Sequence, residues 1–149
     1  MAKLTEDEVV RFTQAHLAEH DRFTHLARRG KNPRSGADIK VFNDKRHYFI
    51  VEAKGETGSS RTDFGVESVY DAVGRLTLRY SSHNGRRYGL AIPNSFRRRV
   101  LGKLSHGPVS LMHLHLFVLH QNGRVEHLTP TLLRKLVKTS KPHFRDRPE

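Results

Sequence analysis

Two short segments of alternating apolar and polar residues, separated by a polar turn, constrain the fold of this chain more than any other feature. The segments cover residues 35–41 and 47–55, and the turn between them is Asn43-Asp44-Lys45-Arg46. This pattern predicts a β-hairpin, because successive side chains on a strand point to opposite faces. The apolar residues of the first strand then face the core, and Asp38 faces the other side.

The second strand carries an acid and a base on one face. Glu52 and Lys54 are two residues apart and point the same way, while Val51 and Ala53 point the other way. In the predicted hairpin, Asp38 and Glu52 converge and can share one metal ion. Mg²⁺ prefers such oxygen ligands, and we expect Mn²⁺ to substitute for it. Lys54 is placed to orient or deprotonate a water and to stabilise charge on a phosphate.

The order helix, strand, strand with Asp38, strand with Glu52-x-Lys54, helix resembles the PD-(D/E)xK nucleases, which share the restriction-endonuclease-like fold. The resemblance covers roughly the first 80 residues. Asp38 matches the motif aspartate, Glu52 its second acid and Lys54 its lysine, while Ala37 replaces a proline without affecting the chemistry. The resemblance implies an α/β domain with a mixed central β-sheet flanked by helices, and a Mg²⁺-dependent endonuclease acting on DNA.

A helix is predicted from about Thr5 to Glu19. In the resembled family this helix often presents an acid toward the metal site, and Glu8 is the best match here, with Glu6 behind it. Glu8 also occupies the position at which a capping box that starts at Thr5 places a glutamate. A catalytic role and a structural role for Glu8 therefore both stay open at this point.

Several basic residues are predicted to contact nucleic acid. Arg29, Lys31 and Arg34 lie in a loop with Gly, Asn and Pro, which suits a segment that follows a phosphate backbone. A second helix is predicted from Phe64 to about Tyr80, and in it Arg75 replaces a glutamine of the resembled family. Arginine favours a phosphate contact, although a surface role is as consistent with the sequence.

Composition sets limits on the partner and the compartment. The 149 residues include 27 Lys and Arg against 15 Asp and Glu, a net charge of +12 that suits a polyanionic partner without separating DNA from RNA. The absence of cysteine excludes disulfides and thiolate metal sites. The apolar runs are too short to span a membrane, so we expect a cytoplasmic protein, nucleoid-associated if the source is bacterial or archaeal. The length suits a single nuclease-like domain over residues 1–138, followed by a basic tail over residues 139–149.

The second half of the chain predicts further strands and helices. Strands are predicted at 88–92, 109–119 and 124–128, and helices at 96–104 and 130–137. Gln121-Asn122-Gly123 predicts a tight turn between the last two strands. His113 and His115 would share one face of the strand 109–119, but a zinc site there is the minor interpretation because no third ligand is defined.

The preferred interpretation is an endonuclease with Asp38 and Glu52 as metal ligands, Lys54 as the water-positioning residue and Glu8 as an accessory acid. A homodimer is expected, because one small domain with one site cuts one strand and a two-fold dimer cuts both. One alternative is a catalytically silent nucleic-acid-binding module of the same fold. Another is an RNA-directed nuclease or a ribosome-associated protein, since charge alone does not choose between nucleic acids.

Overall fold

A mixed β-sheet with helices on both faces organises the part of the chain that the computed structural model describes, residues 3–27, 38–56, 64–82 and 85–140. The strands are β1 (His25–Leu26), β2 (Ile39–Phe42), β3 (Tyr48–Ala53), β4 (Arg86–Pro93), β5 (His115–Leu119) and β6 (Val125–Leu128). The helices are α1 (Glu6–Asp21), α2 (Phe64–Arg79), α3 (Arg97–Lys103), α4 (His106–Leu111) and α5 (Pro130–Ser140). The α/β class predicted from the sequence is confirmed.

The strands follow chain order across the sheet, from β1 at one edge to β6 at the other. The first three strands pair antiparallel, β3, β4 and β5 pair parallel, and β6 returns antiparallel to β5. Parallel neighbours need a crossover connection, which α2 provides between β3 and β4, and α3 with α4 provide between β4 and β5. The central strands are therefore covered on both faces.

Apolar side chains of the central strands alternate between two core layers. In β3, Phe49 and Val51 pack in the layer beneath α1, whereas Ile50 packs in the layer formed with α2 to α5. Ile39 of β2 lies in the α1 layer, while the neighbouring Lys40 is exposed. Asp38 and Glu52 consequently belong to the α2 face of the sheet, as the alternation in the sequence predicted.

The strand predicted over residues 109–119 is wrong in its first half. Residues His106–Leu111 form α4, and β5 begins only at His115. Val109 and Leu114 are both buried, because the apolar pattern here reflects helix packing followed by a strand with two covered faces. Pro108 is compatible with this assignment because it lies in the first turn of the short helix.

The same correction separates the two histidines that the sequence placed on one strand face. His113 lies in the turn before β5 with a left-handed φ of 46°, and only His115 is in the strand. His115 is buried among aromatic side chains, and its pKa is lowered to about 3, first by this burial and then by the neighbouring basic groups, of which His127 acts most strongly. Its Nδ1 atom lies 2.8 Å from Nε2 of His127 on the adjacent β6.

Two remaining expectations concern the ends of the chain and the membrane. α5 extends to Ser140, and residues 141–149 of the predicted basic tail lie outside the described residues. Within the described ranges, no helix is both long enough and apolar enough to cross a membrane.

Gly89 of β4 tests the close packing of the core layer beneath α1. A Cβ atom at this position would lie 2.9 Å from Cε2 of Phe117 and 3.1 Å from Cε1 of Phe49. We expect Gly89→Ala to lower the free energy of unfolding by roughly 1–3 kcal/mol, the usual cost of overpacking a core. Gly102→Ala in α3 is the matched control, because no atom lies within 4 Å of its added Cβ and alanine favours helix. Urea denaturation that shows equal losses for both variants would contradict this packing.

Candidate active site

The hairpin of β2 and β3 brings two carboxyl groups together at one end of the sheet. Ile39 pairs with Val51, so Asp38 lies beside Glu52 at the next position of the antiparallel ladder. Asp38 Oδ2 accepts a hydrogen bond of 2.9 Å from the backbone amide of Ala53. This bond orients the Asp38 carboxyl group toward the end of β3, where its side chain reaches that of Glu52.

Glu52 is a buried carboxylate, with only 1% of its side chain exposed. Arg79 Nη1 of α2 donates to Glu52 Oε1, while Oε2 is buried without a hydrogen-bond donor among the described residues. The pKa of Glu52 is raised to about 7, first by burial and then by the hydrogen bond and negative charge of Asp38, while the charges of Arg79 and Arg75 act in the opposite direction. Two carboxyl groups in contact are stable when a shared proton or a nearby positive charge compensates their repulsion.

Lys54 follows directly after the end of β3. Its backbone amide donates a hydrogen bond of 3.0 Å to the carbonyl oxygen of Ala91 on β4, and this bond fixes the backbone position of Lys54 beyond the strand. The Lys54 side chain is half-buried, and its positive charge lowers the pKa of Glu6. The pKa of Glu6 is nevertheless raised above its ordinary value, mainly by burial and next by the charge of Asp38. Asp38 and Lys54 therefore both lie within electrostatic range of Glu6.

A close contact between Gly55 and the start of α1 produces this grouping. A Cβ atom on Gly55 would lie 2.2 Å from the backbone nitrogen of Glu6, so only glycine allows the two segments to approach this closely. Glu56 N donates a hydrogen bond of 2.7 Å to the carbonyl oxygen of Leu4, and Leu4 N donates one of 3.1 Å to Glu56 Oε1. The first turn of α1 is thereby held against the segment that carries Lys54.

The structure places Glu8 in the capping box rather than with the acids at the end of β3. Thr5 Oγ1 accepts a hydrogen bond of 3.1 Å from the backbone amide of Glu8. In return, Glu8 Oε1 accepts hydrogen bonds of 3.4 Å from Thr5 N and 3.0 Å from Thr5 Oγ1. Of the two roles left open for Glu8, the structure shows the helix cap, and Glu6 is the acid of α1 within electrostatic range of Asp38. The physical reason is that the helix cap already uses the Glu8 carboxylate.

The basic residues predicted to bind nucleic acid divide into two groups. Arg75 is exposed on α2, and its charge lowers the pKa of both Glu52 and Glu6, so it faces the acid cluster. Arg29, Lys31 and Arg34 lie outside the described residues.

Arg79 is a site residue that sequence reasoning missed. The sequence did contain an indication of its role. Arg79 lies four residues after Arg75, and residues at this spacing share one face of a helix. The Tyr88 hydroxyl fixes the end of that helix. It accepts a hydrogen bond of 2.8 Å from Ser81 N and donates one of 3.2 Å to the carbonyl oxygen of Arg79. The arginine that pairs with Glu52 is thus held in place from β4.

Comparison with models of protein families, with curated proteins and with solved structures found no match to this chain. A functional assignment therefore depends on the chemistry of the residues themselves. That chemistry consists of two carboxyl groups in contact, one of them buried, and two arginines of α2 whose charges act on the buried one. An acid of α1, Glu6, lies within electrostatic range of both Asp38 and Lys54.

The raised pKa of Glu52 predicts a specific dependence of stability on pH. The ordinary value of 4.5 applies to the unfolded chain, so between 4.5 and about 7 the folded state holds more protons than the unfolded state. The stabilisation that comes from protonated Glu52 is complete below pH 4.5. It is lost as the pH rises through about 7. In metal-free buffer, we expect wild type to lose stability relative to Glu52→Gln by up to roughly 3 kcal/mol across this window.

Urea denaturation at a series of pH values, with EDTA present, measures this difference. The Glu52→Gln variant is the matched control because it keeps the side-chain shape and does not titrate. Parallel stability profiles for the two proteins would contradict the assignment of a buried, titrating carboxyl group at this position.

Proposed function

We propose that this protein is a divalent-cation-dependent endonuclease that hydrolyses DNA, with the restriction-endonuclease-like fold of the PD-(D/E)xK nucleases. The single observation that carries the proposal is the pair Asp38 and Glu52, with a buried Glu52 oxygen that lacks a donor among the described residues. Burying such a group is costly unless something compensates its charge. Lys54, which follows directly after β3 two residues beyond Glu52, completes the set that phosphodiester hydrolysis requires.

The two carboxyl groups fit a hard cation better than a soft one. Asp38 and Glu52 would hold Mg²⁺, with Mn²⁺ as a substitute, since both ions accept carboxylate oxygens. When bound, the cation supplies activation of water and neutralisation of phosphate charge. The Ala53 amide orients Asp38, and the sheet excludes water from Glu52, so both ligands are positioned before the cation arrives.

The other polar residues of the site have distinct roles in the proposal. Lys54 orients the attacking water and stabilises negative charge as it develops on the phosphate. Glu6 provides the accessory acid, because its pKa is raised by burial and by Asp38. Arg75 is exposed on α2 and binds the phosphate backbone next to the scissile bond.

The substrate and the assembly follow from charge and size. A net charge of +12 supplies affinity for the DNA backbone, and this affinity falls with added salt. One domain with one such site cuts one strand, so a two-fold homodimer is the proposed form for cleavage of both strands.

The ion pair of Arg79 with Glu52 favours a second candidate, a catalytically silent nucleic-acid-binding module. In this candidate, the guanidinium group compensates the buried carboxylate in place of a cation. The endonuclease is preferred because Arg79 engages one Glu52 oxygen and leaves the other without a donor among the described residues.

Cleavage assays on supercoiled plasmid and branched DNA with Mg²⁺ or Mn²⁺ separate the two candidates. We expect Asp38→Ala and Lys54→Ala each to lower the cleavage rate by roughly 100-fold or more, while DNA binding is kept. Lys45→Ala is the matched control, because it also removes one positive charge but lies in the turn at the opposite end of β3. Cleavage that survives both site substitutions would exclude this active site.

Binding without cleavage on every DNA substrate would favour the module. Selective cleavage of structured RNA at the same salt concentration would identify an RNA-directed nuclease, since the 2′-hydroxyl and the A-form shape are what distinguish RNA.

Glu6→Ala and Glu8→Ala distinguish the accessory acid from the helix cap. We expect Glu6→Ala to slow cleavage without loss of stability, because it removes a carboxylate that Asp38 repels. We expect Glu8→Ala to lower the free energy of unfolding by about 1 kcal/mol, because it removes one half of the capping box, and to leave cleavage unchanged. Chemical denaturation and initial cleavage rates on the same samples give the two readouts, and the reverse pattern would return the accessory role to Glu8.

A further inference from the structure

A second cluster of titratable side chains lies on the α1 face of the sheet, away from Asp38 and Glu52. His16 and Asp21 come from α1, and His127 comes from β6, where it pairs with Phe117 of the α1 layer. One nitrogen or oxygen atom from each of the three residues lies within 4.8 Å of the other two. All three side chains are half-buried, so the cluster is sheltered but accessible to a small ion.

The Asp21 carboxylate has an unsatisfied oxygen inside this cluster. Asp21 Oδ2 is buried and has no hydrogen-bond partner in the part of the chain that the structure describes. Its nearest basic atom, His127 Nδ1, is 3.8 Å away, which is beyond hydrogen-bond distance. Two ligands on one tetrahedral zinc ion are separated by roughly 3.4 Å, given bonds of about 2.1 Å. The spacing therefore suits a cation between the two atoms better than a direct contact.

The other ring nitrogen of His127 has its own partner. His127 Nε2 lies 2.8 Å from Nδ1 of His115, a distance at which one proton is shared between the two rings. When His127 donates from Nε2, its Nδ1 atom presents a lone pair on the side of Asp21. A histidine that donates from one nitrogen and coordinates through the other is the usual arrangement around bound metals.

We propose that His16, Asp21 and His127 form a binding site for Zn²⁺ or a similar divalent transition metal, with a fourth position open to water. Two imidazole nitrogens and one carboxylate oxygen are a ligand set that zinc accepts. Mg²⁺ instead requires oxygen ligands, which the Asp38 and Glu52 pair offers. The chain thus has two chemically different cation sites on opposite faces of its sheet, and the zinc site does not depend on the proposed nuclease function.

The position of the site gives the metal a mechanical role. It joins the C-terminal end of α1 to β6 at the edge of the sheet, whereas Gly55 anchors the N-terminal end of the same helix. A ligand that binds only the folded state stabilises it in proportion to the logarithm of its concentration. We therefore expect the thermal midpoint of unfolding to rise with added zinc and not with the same concentration of magnesium.

The test uses the full chain without an affinity tag, stripped of metal with a chelator and desalted. Calorimetric titration with Zn²⁺ should give one site per chain, and Co²⁺ should give the visible absorption bands of a four-coordinate nitrogen and oxygen site. Asp21→Asn and His127→Ala should each weaken zinc binding by at least about 10-fold. His106→Ala, which removes an exposed histidine of α4, and the double variant Asp38→Ala with Glu52→Gln should bind zinc as wild type does.

Several outcomes would overturn the proposal. They are the absence of zinc binding and cobalt bands in the wild-type protein, zinc affinity unchanged in both cluster variants, or zinc binding lost only in the Asp38 and Glu52 variant. Circular dichroism melting verifies that each variant is folded. If His127→Ala does not fold, the nearly isosteric Asp21→Asn variant and the wild-type cobalt spectrum decide the result.

Discussion

The buried carboxylate of Glu52 is the constraint on which the rest of the structure depends. A carboxyl group withdrawn from water inside a sheet is unfavourable unless charges or protons compensate it. The protein surrounds this group with Asp38, Arg79 and Arg75, and each of these changes its pKa in a defined direction. Glu52 lies near the end of β3, where the largely apolar strand contacts these polar residues. A residue chosen for stability alone at that position would be apolar, so the carboxylate is best explained by a function that needs it.

The second determinant is the contact of the first turn of α1 with the segment after β3. Gly55 allows backbone to approach backbone, and Leu4 and Glu56 exchange hydrogen bonds across the contact. This contact brings Glu6 into electrostatic range of Lys54, although the two residues are far apart in the chain. The same helix ends beside β6, where His16 and Asp21 meet His127. One helix therefore contacts two clusters of titratable side chains on opposite faces of one sheet.

Local patterns in the sequence were sufficient for much of the fold and for the proximity of Asp38 and Glu52. Strand alternation predicted that Asp38, Glu52 and Lys54 share one side of the hairpin, because the two-residue period of a strand is a local property. The capping signal at Thr5 correctly predicted the start of α1. The pattern failed at residues 109–119, because a strand covered on both faces has no alternation to distinguish it from the short helix before it.

The sequence by itself determined the hairpin, the identity of its three polar residues, the basic charge and the α/β class, since these depend on near neighbours and on composition. Only the tertiary structure decided which acid of α1 lies beside Lys54, which arginine of α2 pairs with Glu52, and which histidine meets Asp21. The physical reason is that these contacts join segments distant in the chain. Their geometry is set by how helices dock on the sheet, and that docking depends on close approaches such as the one at Gly55 rather than on a repeating pattern.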